Sequence, residues 1–364
     1  MNSEYQIIPH TKAQLRELYG QPEFWRASWL PFTRLRLKQY LENPLAAEED
    51  VLWLNALHQG RIVAYLGLLP DLVLDGDRLV KIAWPTSWWA DPKHRGKGIA
   101  ALLFDRALEL YPYSCVNSAT PWARRLLLKR GLYKPYATRP RSFWFLNLNP
   151  HTFRDFGIDN RLFRLLQPCG HALLGRIGKA RLQAWLKGLP TRQVKLEYVS
   201  EPDPESMEMI RELARSELSH KSPEVLAWRM NNLLYSPLLK GIPRRHDTYF
   251  GNTGEEILSY QVKLWSEEEL VGFLNLLVVD KVLRIPYFYL KEGFEAEFAA
   301  LVGRICLHNC IDVVYSQHPR VNAILKQYRL PHFHLKSYPM EVLVSPALDF
   351  LPSGRTVQDG DGAF

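Results

Sequence analysis

Where the chain reads Pro92-Lys93-His94-Arg95-Gly96-Lys97-Gly98-Ile99-Ala100, a strand gives way to a helix. The run before it, Val80 to Ala90, is rich in Trp and Ile, and the run after it, Ile99 to Leu110, is apolar with helical period. The first turn of a helix carries unpaired N–H groups and a partial positive charge, and that geometry binds phosphate. Gly96 and Gly98 let a ligand approach the backbone, and Arg95 and Lys97 add charge. Two common phosphate loops are excluded. A Walker loop needs Ser or Thr after Gly-Lys, and here Gly98 and Ile99 follow Lys97. A dinucleotide fingerprint needs a third glycine where Ala101 stands and an acid on the next strand, and the stretch Cys115 to Ser118 has none.

The flanking elements narrow the class. A helix at Thr11 to Tyr19 precedes two strands, Val51 to Leu57 and Arg61 to Leu69, joined at His58-Gln59-Gly60, and a second turn at Asp75-Gly76-Asp77 leads into the strand before the loop. After the loop helix come a short strand, Tyr113 to Ala119, a helix opened by Pro121 and closed by Gly131, and a strand from Ser142 to Leu148. This order, with R-x-x-G-x-A at Arg95, Gly98 and Ala100, resembles the GNAT (Gcn5-related N-acetyltransferase) superfamily over residues 1 to 148. The resemblance implies an α+β fold, a mixed and mostly antiparallel sheet flanked by helices, and acetyl-CoA or another acyl-CoA as co-substrate. It assigns the pyrophosphate to N–H groups of Gly96, Lys97, Gly98, Ile99 and Ala100 with Arg95. It assigns the pantetheine arm and the thioester carbonyl to backbone groups near Trp88, Trp89 and Ala90. The implied reaction is direct attack by an acceptor amine, without a covalent enzyme intermediate. Many members carry a Tyr midway along the last helix that protonates the leaving thiolate; this chain has Leu127 there, with Tyr133 just past the helix.

At 364 residues, two domains are the better expectation. An apolar content of 47 % and an aromatic content of 12 % exclude a disordered chain. The longest good apolar run, Val271 to Val279, is too short to span a bilayer. Met1 to His10 lacks a signal pattern, and Cys115, Cys169, Cys306 and Cys310 are too few for a disulfide scaffold, so a reduced, cytoplasmic protein is expected. The net charge of +8 is uneven: nine Lys and Arg stand against Asp155 and Asp159 between His151 and Lys195. That stretch predicts basic helices at Arg161 to Leu166 and His171 to Leu186. The favoured reading is a connector with a solvated basic face; contact with anionic lipid is the weaker one, and nucleic acid is not expected as a partner.

Shifted by 198 positions, the second half lies over the first without gaps. Val116 to Pro121 falls on Val314 to Pro319, Leu126-Leu127 on Ile324-Leu325, Lys93 on Lys291 and Arg106 on Arg304. Two tandem GNAT-like domains follow as the expectation: residues 1–150 with the acyl-CoA site, a connector at 151–192, a degenerate copy at 193–346 and a flexible tail at 347–364. In the second copy the loop becomes Gly293-Phe294-Glu295-Ala296-Glu297-Phe298, whose bulk and acids repel pyrophosphate.

No general base is evident. His94 reads as a phosphate or solvent contact, Asp91 as a cap, His318 as structural, and His332 and His334 as strand residues without a third metal ligand. The sequence contains no HExxH, G-x-S-x-G or EF-hand pattern. Tandem chains of this kind resemble sugar-nucleotide N-acyltransferases, the mycothiol-synthase type and Fem-type aminoacyl transferases, and the intact CoA-type loop argues against the last. The expected acceptor is a small amine, first an amino sugar or nucleotide-linked amino sugar of surface-polysaccharide synthesis. A non-catalytic CoA-binding module and acylation of a protein or peptide amine stay open.

Overall fold

The computed structural model describes residues 4–27, 29–117, 119–147, 167–231, 235–237, 252–254 and 256–362. The expected helix at Arg161 to Leu166 lies outside these residues, as do Ser118 and the last two residues of the tail. The chain forms two compact units, and neither is continuous in sequence. Unit 1 comprises Met1–Thr138, Arg215–Glu255 and Met340–Phe364; unit 2 comprises Arg139–Ala214 and Glu256–Pro339.

Unit 1 is built on an antiparallel sheet β1-β2-β3-β4, with β1 at Gln6–Thr11, β2 at Val51–His58, β3 at Arg61–Asp75 and β4 at Arg78–Ala90. Gln59 and Gly60 both take positive φ, 51° and 76°, the tight turn that matches the twist of a hairpin. Helices α1 (Lys12–Gly20) and α2 (Arg34–Leu41) pack Leu15, Leu37 and Tyr40 with Trp53, Tyr65 and Trp84 of the sheet. Helices α3 (Ile99–Leu110) and α4 (Pro121–Lys129) pack Leu103, Phe104 and Leu127 with Leu54, Leu66 and Leu68. Helices α1 and α4 start at side-chain caps: Thr11 and Gln14 form a capping box before α1, and Thr120 accepts the Ala123 N–H before α4. Strand β1 and helix α2 were not read from the sequence. The same unit contains α7 (Pro223–Asn231) and a short parallel pair, β8 (Tyr235–Pro237) with β9 (Asn252–Gly254).

Unit 2 is likewise a sheet covered by helices. Its strands run β7 (Lys195–Val199), β10 (Ile257–Ser266), β11 (Glu269–Val279), β12 (Val282–Leu290) and β13 (Val313–Ser316), paired in that order. Only β12 and β13 among them are parallel. Helix α8 (Glu295–His308), helix α9 (Pro319–Gln327) and helix α5 (Gln167–Gly188) cover one apolar layer, and α6 (Pro204–Leu213) packs by Met207, Met209 and Ile210, all buried. The 198-residue offset places α9 on α4 end to end, since Pro319 and Pro121 each open a nine-residue helix.

Two expected boundaries do not describe the compact units. The strand expected to close the first domain is β6 (Lys134–Phe145), which passes from unit 1 into unit 2 at Arg139; there Ser142–Phe145 pair antiparallel with Val313–Ser316. The last strand, β14 (His334–Val344), does the reverse, and Leu343 and Val344 pair with Val116 and Cys115 of β5 (Cys115–Val116). Each unit thus takes its closing strand from the other half of the sequence. The second difference is α5. It is an integral part of unit 2, where Leu182 is buried in the core and the Trp185 indole donates to the Tyr328 carbonyl at 2.6 Å. Its basic residues Arg176, Lys179, Arg181 and Lys187 are exposed. No described helix is long and apolar enough to cross a membrane.

Candidate functional site

Strand β4 ends at Ala90, Asp91 accepts the Lys93 N–H at 2.9 Å, and a short turn at Pro92–His94 delivers the chain to Gly96. Gly96 and Gly98 take φ of 79° and 81°, left-handed values that side chains resist. An added Cβ at either would meet nothing within 4 Å, so these glycines serve conformation and access rather than packing. Gly98 is the N-cap of α3; no side chain caps the helix, and its first turn holds no acid. The positive end of α3 is therefore left open to an external anion.

Beside the loop, β4 and β5 diverge. They touch at one parallel bridge, Ala83 with Ser114, where the Ala83 N–H donates to the Tyr113 carbonyl at 3.0 Å. The Ser114 hydroxyl donates to the Ala83 carbonyl at 3.1 Å and meets the Tyr133 hydroxyl at 2.7 Å, which pins the closed end. Above that point lies a cavity of about 640 Å³. Its walls are Trp88, Trp89 and Ala90 of β4, Arg95, Gly96 and Gly98 of the loop, Ile99 to Ala101 at the start of α3, and Thr120 with Trp122 and Leu126 of α4. Of the nine residues the sequence singled out, Lys97 alone is absent from the lining. Trp88 and Trp89 face opposite layers. The Trp88 ring stacks on half-exposed Trp122 at 5.2 Å and meets Phe104 edge-on; Trp89 stacks on Tyr65 at 5.4 Å and lies 5.5 Å from Trp29. Trp84 is fully buried.

The other sequence candidates sit elsewhere. His94 turns from the loop toward the Tyr5 hydroxyl, 3.1 Å away, and packs on the His58 ring. Leu127 is buried core, and Tyr133 is shut behind the β4–β5 bridge, where burial pushes its hydroxyl pKa up. Tyr133 thus holds the sheet and does not face the cavity. His318 caps α9; burial, then Arg139 and Arg320, push its pKa down to about 3, so it is a neutral acceptor for the Val321 N–H. His332 lies against Trp144 and His334 against Phe145. Among the described residues no three His, Cys, Asp or Glu side chains converge to hold a metal.

Sequence reasoning missed a buried charge cluster and the role of the tail. Far from being loose, Val357, Gln358, Asp359 and Asp361 are buried in unit 1. Asp361 pairs with Lys221 at 2.8 Å and Arg229 at 2.9 Å, and Arg229 reaches Asp71 of β3 at 2.6 Å. Asp71 also accepts from the Trp84 indole and the Ser219 hydroxyl, and the Asp361 carbonyl accepts from Asn117 just past β5. Burial alone would raise Asp71, but Arg229 and Lys221 hold it below the usual carboxylate range. Burial pushes Glu217, within reach of Lys221 at 3.3 Å, up to about 7. The only sequence signal for this cluster was a set of charges far apart in the chain.

With that geometry in view, comparison with known proteins agrees. Residues 12–119 match the acetyltransferase (GNAT) family. The class is an acyltransferase with acyl-CoA as donor. No curated protein sequence matches the chain. Among solved structures, a GCN5-related N-acetyltransferase from Anabaena variabilis is similar at TM-score 0.52 and 13 % identity, over 93 % of this chain and 72 % of that one. A GCN5-related N-acetyltransferase from Kribbella flavida gives 0.51 and 13 %, over 93 % and 71 %. The N-myristoyltransferase of Saccharomyces cerevisiae, with bound myristoyl-CoA and inhibitors, gives 0.54 and 11 %, over 95 % of this chain and 81 % of that one. At such identities the likeness is one of fold.

Proposed function

We propose that unit 1 binds acyl-CoA in the cavity beside Gly96 to Ala100 and transfers the acyl group to the amine of a small acceptor, with an amino sugar or nucleotide-linked amino sugar as the first choice. The observation that carries the donor site is the uncapped, acid-free start of α3 at the rim of an aromatic cavity. The pyrophosphate meets the first-turn N–H groups and Arg95, and the pantetheine arm follows Trp88 to Ala90 past Trp122. The amine nitrogen bonds to the thioester carbonyl carbon, the carbon–sulfur bond breaks, and the sulfur leaves as thiolate. The amine sheds its proton to water, and the thiolate takes its proton from water, since Leu127 carries no acid and Tyr133 does not face the cavity. On the α1–α2 side of β4 the half-buried rings of Trp29 and Trp89 lie 5.5 Å apart, tilted by 42°, and this partly exposed aromatic surface supports the choice of a sugar-bearing acceptor. Unit 2 is proposed as a degenerate second copy without a donor site.

Two measurements test this reading. Calorimetry with CoA should show binding that Gly98→Glu abolishes. Thiol release from acetyl-CoA across pools of amino sugars, amino acids and peptides should select the acceptor; CoA binding with no release for any amine would favour a non-catalytic binding module, as the missing Tyr at Leu127 would allow.

A further inference from the structure

Among the described residues, the non-glycine residues with positive φ lie in turns, except one. Ser87, at φ +53°, sits within β4. It marks a bulge: Tyr65 pairs with Trp89 and Gly67 with Thr86, so Ser87 and Trp88 together stand opposite Leu66. The extra residue flips the strand's parity. Before it, Ile82 and Trp84 pack in the layer of α1 and α2; after it, Trp88 packs in the layer of α3 and α4 and Trp89 takes the α1–α2 side. The backbone is tightly seated here, because a Cβ on Gly67 would run into the Tyr40 hydroxyl, the Trp53 ring and the Thr86 carbonyl.

One side chain grips this bulge. Arg36, in the first turn of α2, is buried, and its Nη2 donates to the Ser87 hydroxyl at 3.0 Å and the Thr86 hydroxyl at 3.3 Å, while Nε reaches the Ser87 hydroxyl at 3.3 Å. The two hydroxyls are themselves 3.2 Å apart, and the guanidinium lies over the Tyr40 ring. A planar fork that engages adjacent hydroxyls fixes the direction of both residues, which a single hydrogen bond cannot do. We propose that Arg36 is a positioning residue for acyl transfer: by holding Thr86 and Ser87 it keeps β4 in the bulged form that turns the backbone of Trp88 to Ala90 toward the cavity, where those groups polarise the thioester carbonyl. The inference rests on the donor site proposed above and adds to it the residue that sets its geometry. Such preorganised donors matter only if they do not relax when the carbonyl arrives.

The test uses acetyl-CoA labelled with carbon-13 at the carbonyl, bound to the full chain, with the carbonyl resonance read by NMR and CoA affinity read by calorimetry. The bound carbonyl should move downfield in the unmodified protein. In Arg36→Met and Ser87→Ala the displacement should fall by roughly half or more, while CoA affinity stays within about threefold because the pyrophosphate loop is untouched. Ser87→Gly should lose the displacement as well: it takes positive φ freely but, like Ser87→Ala, offers the guanidinium no hydroxyl. If Arg36→Met does not fold, the Ser87 pair decides. An unchanged displacement in Arg36→Met, or a full displacement in Ser87→Gly, would overturn the role of Arg36 and leave CoA binding intact. No CoA binding by the unmodified protein would remove the donor site, and this inference with it.

Discussion

The loop at Arg95 to Ala100 and the stretch at Gly293 to Phe298 open equivalent helices and treat their positive ends in opposite ways. Before α3 stands Gly98, left-handed and capless, and no acid follows in the first turn. Before α8 stands Phe294, and Glu295 and Glu297 fill the first turn. The Glu295 carboxylate accepts the Gly293 N–H at 2.9 Å and pairs with Arg320, and Glu297 accepts the Arg192 N–H at 2.7 Å. Burial would raise Glu295, yet Arg320 and the backbone donors hold it low. The second helix supplies its own anion; the first leaves the place open. A helix start can be stabilised internally, as at α8, or left uncapped, as at α3. The units also differ in buried charge: unit 1 closes Asp71, Arg229, Asp361 and Lys221 away from water, while the Arg320–Glu295 pair of unit 2 stays partly exposed.

The largest effect should come from that buried cluster. Arg229→Met leaves Asp71 and Asp361 without a shared cation and should cost unit 1 about 3–5 kcal/mol in chemical denaturation. Gly98→Glu, which gives the first loop the acid of the second, should weaken CoA binding by about 100-fold or more, or about 2.7 kcal/mol, in calorimetry. Acidification should act on the units with opposite sign. His318 has its folded pKa depressed to about 3, so its contribution is present above the unfolded value near 6.5 and lost as pH falls. Between pH 7 and 5 this should remove about 2 kcal/mol, and His318→Asn, which keeps a capping side chain, should flatten the loss. Glu217 has its folded pKa raised to about 7, so its contribution is full below 4.5 and is lost as pH rises through 7; Glu217→Gln should remove that slope. The smallest effect is expected from Glu295→Gln with Glu297→Gln, which should cost α8 about 1 kcal/mol and create no CoA binding, because Phe294 and Phe298 remain.

Much of unit 1 was legible because its signals are local. Thr11 with Gln14, Pro121 after Thr120, Gln59-Gly60 and Gly98 each mark an end or a turn by chemistry that acts within four residues. Helix α2 was overlooked although Thr33 caps it in the usual way, accepting the Arg36 N–H at 3.0 Å; that signal was available and would have brought Arg36 into view. The bulge at Ser87 left no such trace, since a serine in a strand reads as any other strand residue and its reversed φ depends on Arg36 and Gly67 from elsewhere.

The sequence by itself determined the glycines and cations at Arg95 to Ala100, the element order around them and the bulk and acids at Gly293 to Phe298, because glycine, charge and period act through neighbours in the chain. Only the tertiary structure decided which strands close which sheet, where Asp361 lies and that Tyr133 is turned away from the cavity. Nothing local in β6 or β14 says which sheet each joins, because a strand's own residues set which face can be buried and not against what. Likewise a lone aspartate near the end of a chain gains meaning only when folding brings Lys221, Arg229 and Asp71 around it and removes the water.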